Sequence, residues 1–277
     1  MEVTIAEERM LVLQAQLALE DAQRKASERK AEAFGAVSRL LLRPKPEEIE
    51  IAYSEKRFQP FWHASCKTRF VYDRSREFQV DVTGKEVQSV TIGEGKYPVL
   101  REKRSYISLR GVEHCLEEDR RELFLDAVSG KEGNWAKYVS FPSLPLTSME
   151  DLATGGALVV SPEVRASIVV HQLLSKLIRP VAGTDIKEES VEIDDLALFF
   201  RPIYGFELHW VSKDKKGTLE IDGLTGEVVV EGVALRRTLS RLTNPDLLFD
   251  IGADAVGLVV PGGGIAVKVV RAVTRKH

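Results

Sequence analysis

Hydrophobic and polar positions along the chain divide it into one long helical stretch and a strand-rich remainder. From residue 5 to about residue 42 there is no proline, and Gly35 is the single glycine. Ile5, Val12, Leu19, Ala26, Ala33 and Leu40 recur at heptad spacing, with Ala15, Ala22 and Ala36 on the adjacent row. That pattern predicts one long helix with a narrow, alanine-rich seam suited to close approach by a second helix, as in a coiled coil. Arg43-Pro44-Lys45-Pro46 ends it, because proline cannot continue the hydrogen-bond ladder.

Beyond the prolines, runs rich in β-branched and aromatic residues predict strands at 64–72, 78–82, 87–92 and 106–109, separated by charged or glycine-containing turns. Residues 134–148 are irregular, with Pro142 and Pro145. Pro162 then opens a predicted helix to about Arg179, with Val164, Ile168, His171, Leu174 and Ile178 on one face. Leu247 to Val273 reads as a helical hairpin around Pro261-Gly262-Gly263-Gly264. That turn lacks the spacing of a phosphate loop.

An internal repeat organises the middle of the chain. Glu47–Trp62 (EEIEIAYSEKRFQPFW) lies over Glu189–Tyr204 (ESVEIDDLALFFRPIY) at one constant offset. Glu47/Glu189, Glu50/Glu192, Ile51/Ile193, Phe58/Phe200 and Pro60/Pro202 are identical. Just upstream, SRLLLRP (38–44) and SKLIRP (175–180) close the two predicted helices. A smaller echo, FQVDVTGKEV (78–87), LFLDAVSGKE (123–132) and LEIDGLTGEV (219–228), joins an apolar strand to an aspartate and a Gly turn. The aspartate accepts from turn N–H groups and glycine supplies positive φ, so these aspartates read as structural.

The stretch Tyr204–Val229, with its strand, charged turn and Asp-x-x-Thr-Gly-x-Val ending, resembles a PepSY-type module; 78–87 does so more loosely. The resemblance implies a non-catalytic module of a kind that regulates or inhibits peptidases.

The expected fold class is therefore α+β: two duplicated modules of antiparallel sheet plus helix, with a long N-terminal helix and a C-terminal helical hairpin. The expected boundaries are 1–43 for the helix, 44–141 for the first module, 142–160 for a linker, 161–232 for the second module and 233–277 for the helical end.

Composition narrows the function classes. The 277 residues are 44% hydrophobic and 29% charged, as in a globular chain, and the net charge of -3 gives no general drive toward nucleic acid or acidic membrane. Two cysteines make no disulfide framework, and the start lacks a basic region followed by a long apolar run, so a reducing cytoplasm is the expected compartment.

Candidate chemistry is sparse. His63, Cys66, His114 and Cys115 offer four possible zinc ligands, but on strands their spacing turns the members of each pair to opposite faces. Basic and aromatic residues interleave from Lys67 to Arg76, a mixture that can stack bases, though strand alternation accounts for it by burying Phe70 and Tyr72. No catalytic set assembles and no cofactor is implied. The expected function is a non-enzymatic interaction or regulatory protein, adaptor or scaffold. Its partner, a protein or a second copy, would meet Leu19, Ala22, Ala26 and Ala33 on the long helix, together with the PepSY-like sheet modules through an exposed sheet edge or the C-terminal hairpin. Two alternatives stand beside it. One is a ligand site or active site between the modules at Phe61, Trp62 and Tyr204, with His209 nearby. The other is a membrane surface held by the C-terminal hairpin.

Overall fold

The computed structural model describes residues 2–35, 44–177, 181–230 and 268–271. In chain order they form β1 (Glu2–Ile5), β2 (Arg9–Leu13), α1 (Leu19–Glu28), a 3-10 turn at Lys30–Phe34, β3 (Ile49–Asp81), β4 (Ser89–Ile92), β5 (Gly95–Pro98) and β6 (Leu100–Arg101). There follow β7 (Ser105–Asp126), β8 (Ser143–Pro145), α2 (Glu150–Ala153), β9 (Leu158–Val159), α3 (Ala166–Leu177), β10 (Asp185–Trp210), β11 (Lys215–Asp222), β12 (Val228–Val230) and β13 (Lys268–Arg271).

All of these strands except the β4–β5 hairpin belong to one mixed sheet. At its centre β3 and β10 run antiparallel, from Asp73 opposite Asp185 to Ile49 opposite Trp210. The outer edge of β10 takes β1, β2 and β11 in succession, the first two parallel and the third antiparallel. The outer edge of β3 takes β9, parallel, and then β7, antiparallel.

Alternation along β3 and β10 sets the two faces. Phe58, Trp62, Ala64, Cys66, Leu196, Leu198 and Phe200 form the main core with Ala166, Val169, Val170, Leu173, Leu174 and Leu177 of α3. On the same face, Ala22 and Ala26 of α1 are fully buried against Tyr204, Phe206 and Ile221. The opposite face carries an aromatic cluster in which Phe61 stacks on Phe199 at 5.3 Å and on Trp135 at 5.8 Å.

The expected α+β architecture of two separate modules is not present: the chain is mainly β, and both copies of the repeat lie in one sheet. They are antiparallel neighbours, with Phe58 opposite Pro202, Gln59 opposite Arg201 and Pro60 opposite Phe200. This register places a local two-fold axis at the Gln59–Arg201 pair, and contacts around it occur twice. Ala127 N–H donates to Pro60 O (3.3 Å) as Gly223 N–H donates to Pro202 O (2.9 Å). Val164 N–H reaches Ala127 O as Leu17 N–H reaches Gly223 O. Trp62 Nε1 donates to Val164 O at 2.8 Å, and the Tyr204 hydroxyl donates to Leu17 O at 2.7 Å. The first short strand of each set crosses over: β2 pairs with β10, and β9 pairs with β3.

Two prolines in central strands look misplaced, since each lacks a ladder donor. Pro60 falls where the neighbour of β3 changes from β9 to β7, and Pro202 where the neighbour of β10 changes from β2 to β11. The missing N–H of each therefore faces a break between partner strands.

The long N-terminal helix is also corrected. Residues 2–5 and 9–13 are strands, α1 occupies only 19–28, and a 3-10 turn follows. EVTI and RMLVL are β-branched and apolar enough to add to β10, so Ile5 and Val12 matched the heptad row without being helical. Among the described residues no coiled coil forms on the alanine seam, of which Ala36 and Leu40 lie outside them: Ala22 and Ala26 face β10 and β11, and Ala33 packs with Ile49, Leu208 and Trp210. Gly217 admits this approach, because a Cβ there would lie 2.4 Å from Ala33 O.

The strands expected at 64–72 and 78–82 are parts of the single 33-residue β3. Asp73 to Arg76 stays extended because Arg74 and Arg76 both pair across to Glu113 of β7, at 2.6 and 3.0 Å. The segment 142–160 holds β8, α2 and β9 and buries Met149, Leu152 and Val159 in the main core. Of the C-terminal hairpin read at 247–273, only 268–271 is among the described residues, and that segment is a strand parallel to β1. The Gly-rich turn lies outside them.

Candidate functional site

Past the aromatic cluster, the open face of the sheet becomes polar and ends in a groove of about 680 Å³ lined by Lys67, Arg69, Glu118, Arg120, Ser190 and Glu192. Strand register puts these side chains together: Lys67 lies between Arg120 and Glu192, and Arg69 between Glu118 and Ser190. At the inner end of the groove β10 carries a bulge between Ile193 and Asp195. The extra residue turns two successive carboxylates toward β3, where strict alternation would present one.

Each aspartate has its own partners. Asp194 accepts from the Ser65 hydroxyl and from Lys67 at 2.9 Å. Asp195 pairs with His63 Nδ1 at 3.1 Å and with Arg9 at 2.6 Å. Burial alone would raise both carboxyls. The hydrogen bonds from Ser65 and Lys67, and from His63 and Arg9, outweigh it and hold both below the ordinary value of 3.8. His63 and Ser65 share a face, yet the hydroxyl bonds to Asp194 and the imidazole to Asp195, so no Ser–His–Asp relay is joined. His63 stacks on Phe124 at 4.7 Å, and its Nε2 is buried without a hydrogen-bond partner.

The sign of the acid response follows. Carboxyls with a depressed folded-state pKa contribute stability that is complete well above 3.8 and lost as pH falls through the lower folded value. Urea midpoints measured between pH 6 and pH 2 are expected to fall steeply below about pH 4. Asp194→Asn with Asp195→Asn is expected to flatten that slope. Asp73 and Glu113, lowered by hydrogen-bonded cations, and Glu48, lowered by hydrogen bonds from Ser212 and Trp210, add to the same response.

The four residues considered for zinc do not meet. His63 and Cys66 sit beside the bulge, whereas His114 lies opposite Asp73 and Cys115 opposite Tyr72, farther out along β3. His114 is exposed and bonds Asp73 at 2.6 Å. Burial, with Asp194 and Asp119 adding to it, pushes the Cys66 thiol up to about 12, far from the thiolate a metal needs. Among the described residues no group of three or more possible ligands occurs.

Of the residues expected at a partner or ligand surface, Phe61, Trp62 and Tyr204 are core, Ala22, Ala26 and Ala33 are covered by the sheet, and Leu19 is exposed. His209 pairs with Asp214 at 3.0 Å on the surface. Phe70 and Tyr72 are buried, so the basic–aromatic strip offers no base-stacking platform.

Two polar clusters escaped sequence reading. Arg57, nearly buried, pairs with Glu220 and lies 3.8 Å from Glu55. Burial lowers its pKa, Glu55 opposes that shift, and Arg201 adds to it. Arg201 in turn bonds Gln59 Oε1, the Tyr138 hydroxyl and Asp222. Asp-Asp within the apolar run IDDLALFF was the one legible signal, since two adjacent acids break strand alternation. Set beside protein-family models, curated proteins and solved structures, the chain matches none.

Proposed function

We propose that this chain is a non-catalytic interaction protein of a regulatory kind, and that it grips a partner protein with the outer part of β3 and β7. One observation carries the reading. The pairing of β3 with β10 stops at Asp73, while its pairing with β7 continues to Asp81 opposite Tyr106. Residues 74–81 and 106–113 thus form a two-stranded arm beyond the sheet, and the β4–β5 hairpin lies between them in sequence.

Such a ribbon is marginal by itself in water. Here it carries exposed apolar side chains, with Phe78 39%, Val80 43% and Val112 53% accessible. Apolar surface rimmed by charge is the composition of a protein contact. The buried Phe70 and Tyr72 favour protein over nucleic acid as partner. The likeness of Tyr204–Val229 to PepSY-type modules supports a regulatory role. Free thiols at Cys66 and Cys115 fit a reducing cytoplasm. Among the described residues no helix is long and apolar enough to cross a membrane.

The test removes the arm and leaves the sheet. Residues 76–111 are replaced by Asn-Gly, a two-residue hairpin turn, between Ser75 and its cross-strand neighbour Val112. The shortened protein is expected to keep its melting temperature within a few degrees, roughly the shift of a 1 kcal/mol change. It is also expected to lose a stoichiometric protein partner that the full chain captures from lysate of its source. Capture of that partner by both forms would reject the arm as the gripping surface.

A further inference from the structure

We propose that β7 also pairs edge to edge with β7 of a second copy, antiparallel, with Asp119 on the two-fold axis. This rests on the free edge and its charge order, independently of what the arm binds.

On its inner edge β7 pairs with β3 along 106–126. On the outer edge, β6 occupies only Ser105 and Tyr106, and Glu132 bridges Leu125. Between them, among the described residues, no strand covers the edge. A long row of N–H and C=O groups without ladder partners is a template for another strand, and here the N–H of Arg120 donates to Asp119 Oδ1 at 2.9 Å, a bond that a carbonyl of the second copy would replace. Proteins that keep such an edge single commonly repel a copy with charge of one sign. Here the order is Glu117, Glu118, Asp119, Arg120, Arg121. The side chains of Glu118, Asp119, Arg120 and Arg121 are each more than half exposed.

That order is complementary to its own reverse. A two-fold axis perpendicular to the sheet must pass through a residue, so that facing side chains lie on the same face. With Asp119 on the axis, Glu118 faces Arg120 of the second copy and Glu117 faces Arg121, and each pair occurs twice. Only the two Asp119 side chains meet as like charges, and Arg121, 3.1 Å from Asp119 on its own strand, lies beside them. Shifting the axis to Glu118 sets Glu117 against Asp119, and shifting it to Arg120 sets Glu118 against Glu122. Of these three registers, the one through Asp119 is favoured. Arg69 already holds Glu118 on the groove face, so Arg120 of the second copy would meet a carboxylate that is held in place.

The experiment uses the full chain and two variants of opposite sign, Arg120→Glu/Arg121→Glu and Glu117→Arg/Glu118→Arg. Light scattering after size exclusion is expected to show a dimer for the parent and a monomer for each variant. An equimolar mixture of the variants is expected to restore a dimer, because the 118–120 and 117–121 positions again face charges of opposite sign, with the Asp119 pair unchanged from the parent. Far-ultraviolet dichroism and melting confirm that each variant is folded. If a variant does not fold, Asp119→Cys in a Cys115→Ser background replaces it. Residues on the axis lie within disulfide reach, so oxidation is expected to give a covalent dimer, whereas Val112→Cys stays monomeric. A parent that remains monomeric at hundreds of micromolar overturns the proposal. So does a single-sign variant that still dimerises, a mixture of folded variants that does not associate, or an Asp119→Cys protein that fails to cross-link.

Discussion

Asp222→Ala is expected to destabilise the protein by about 3–5 kcal/mol, the range for leaving one member of a buried ion pair behind. Asp222 does two things at once. Its Oδ1 accepts from the N–H groups of Leu224 and Thr225 and shapes the turn. Its Oδ2 accepts from the Tyr138 hydroxyl at 2.5 Å and from Arg201 at 3.1 Å. Asp126 sits at the corresponding point of the other hairpin and makes the same two turn bonds, to Val128 and Ser129, with no arginine behind it among the described residues. Asp126→Ala is therefore expected to cost only about 1 kcal/mol, the value of ordinary hydrogen bonds. Urea denaturation of the two variants side by side separates the turn from the ion pair. Equal losses would mean that Arg201 is held adequately by Gln59 and Tyr138 alone.

Trp62→Ala is expected to cost about 3–5 kcal/mol, as large aromatic truncations in a packed core do. The indole is fully buried between the sheet and α3, and its Nε1 holds the chain at Val164, two residues before the helix begins. Trp62→Phe keeps most of the volume and leaves the Val164 carbonyl without this donor, so a loss of about 1–3 kcal/mol is expected. The same urea titrations resolve the two. A Trp62→Phe variant as stable as the parent would show that the indole fills space and that its hydrogen bond does not matter.

How much of this was legible varied with the kind of signal. Turn chemistry was readable in two of the three turns because it is local: Asp126 and Asp222 bond the N–H groups expected of them, and Gly130 and Gly226 have φ of 70°, whereas Asp81 pairs with Arg104 at 3.1 Å instead. The helix ahead of the second repeat segment was also visible, expected from Pro162 to about Arg179 and found at Ala166–Leu177, but its buried face is Val169, Val170, Leu173 and Leu174, while Ile168 and His171 of the expected face are exposed. The N-terminal reading failed because heptad spacing over a long window outweighed a few strand residues whose partners lie in β10, nearly two hundred positions away. Continuity of β3 through Asp73-Arg74-Ser75-Arg76 was hidden for a similar reason. Four polar residues in a row signal a turn unless Glu113 is known to stand opposite. At the candidate site, the double aspartate Asp194-Asp195 carried a signal of a bulge that was not read, and Arg9, His63 and Lys67 become its partners only through pairing.

The crossing of β2 onto β10 and of β9 onto β3 has a consequence for how the molecule holds together. Neither half of the chain contains a complete set of its own ladders, so neither can be peeled away as an independent subunit would be. Prying α1 from the sheet strains β2, which is fastened across the midline; prying α3 strains β9 in the same manner. The halves are interleaved like clasped hands, and local opening at one end is transmitted through Gln59 and Arg201 to the other. Such a body is expected to unfold as one cooperative unit, and hydrogen exchange is expected to find its slow amides shared between both halves rather than gathered in either.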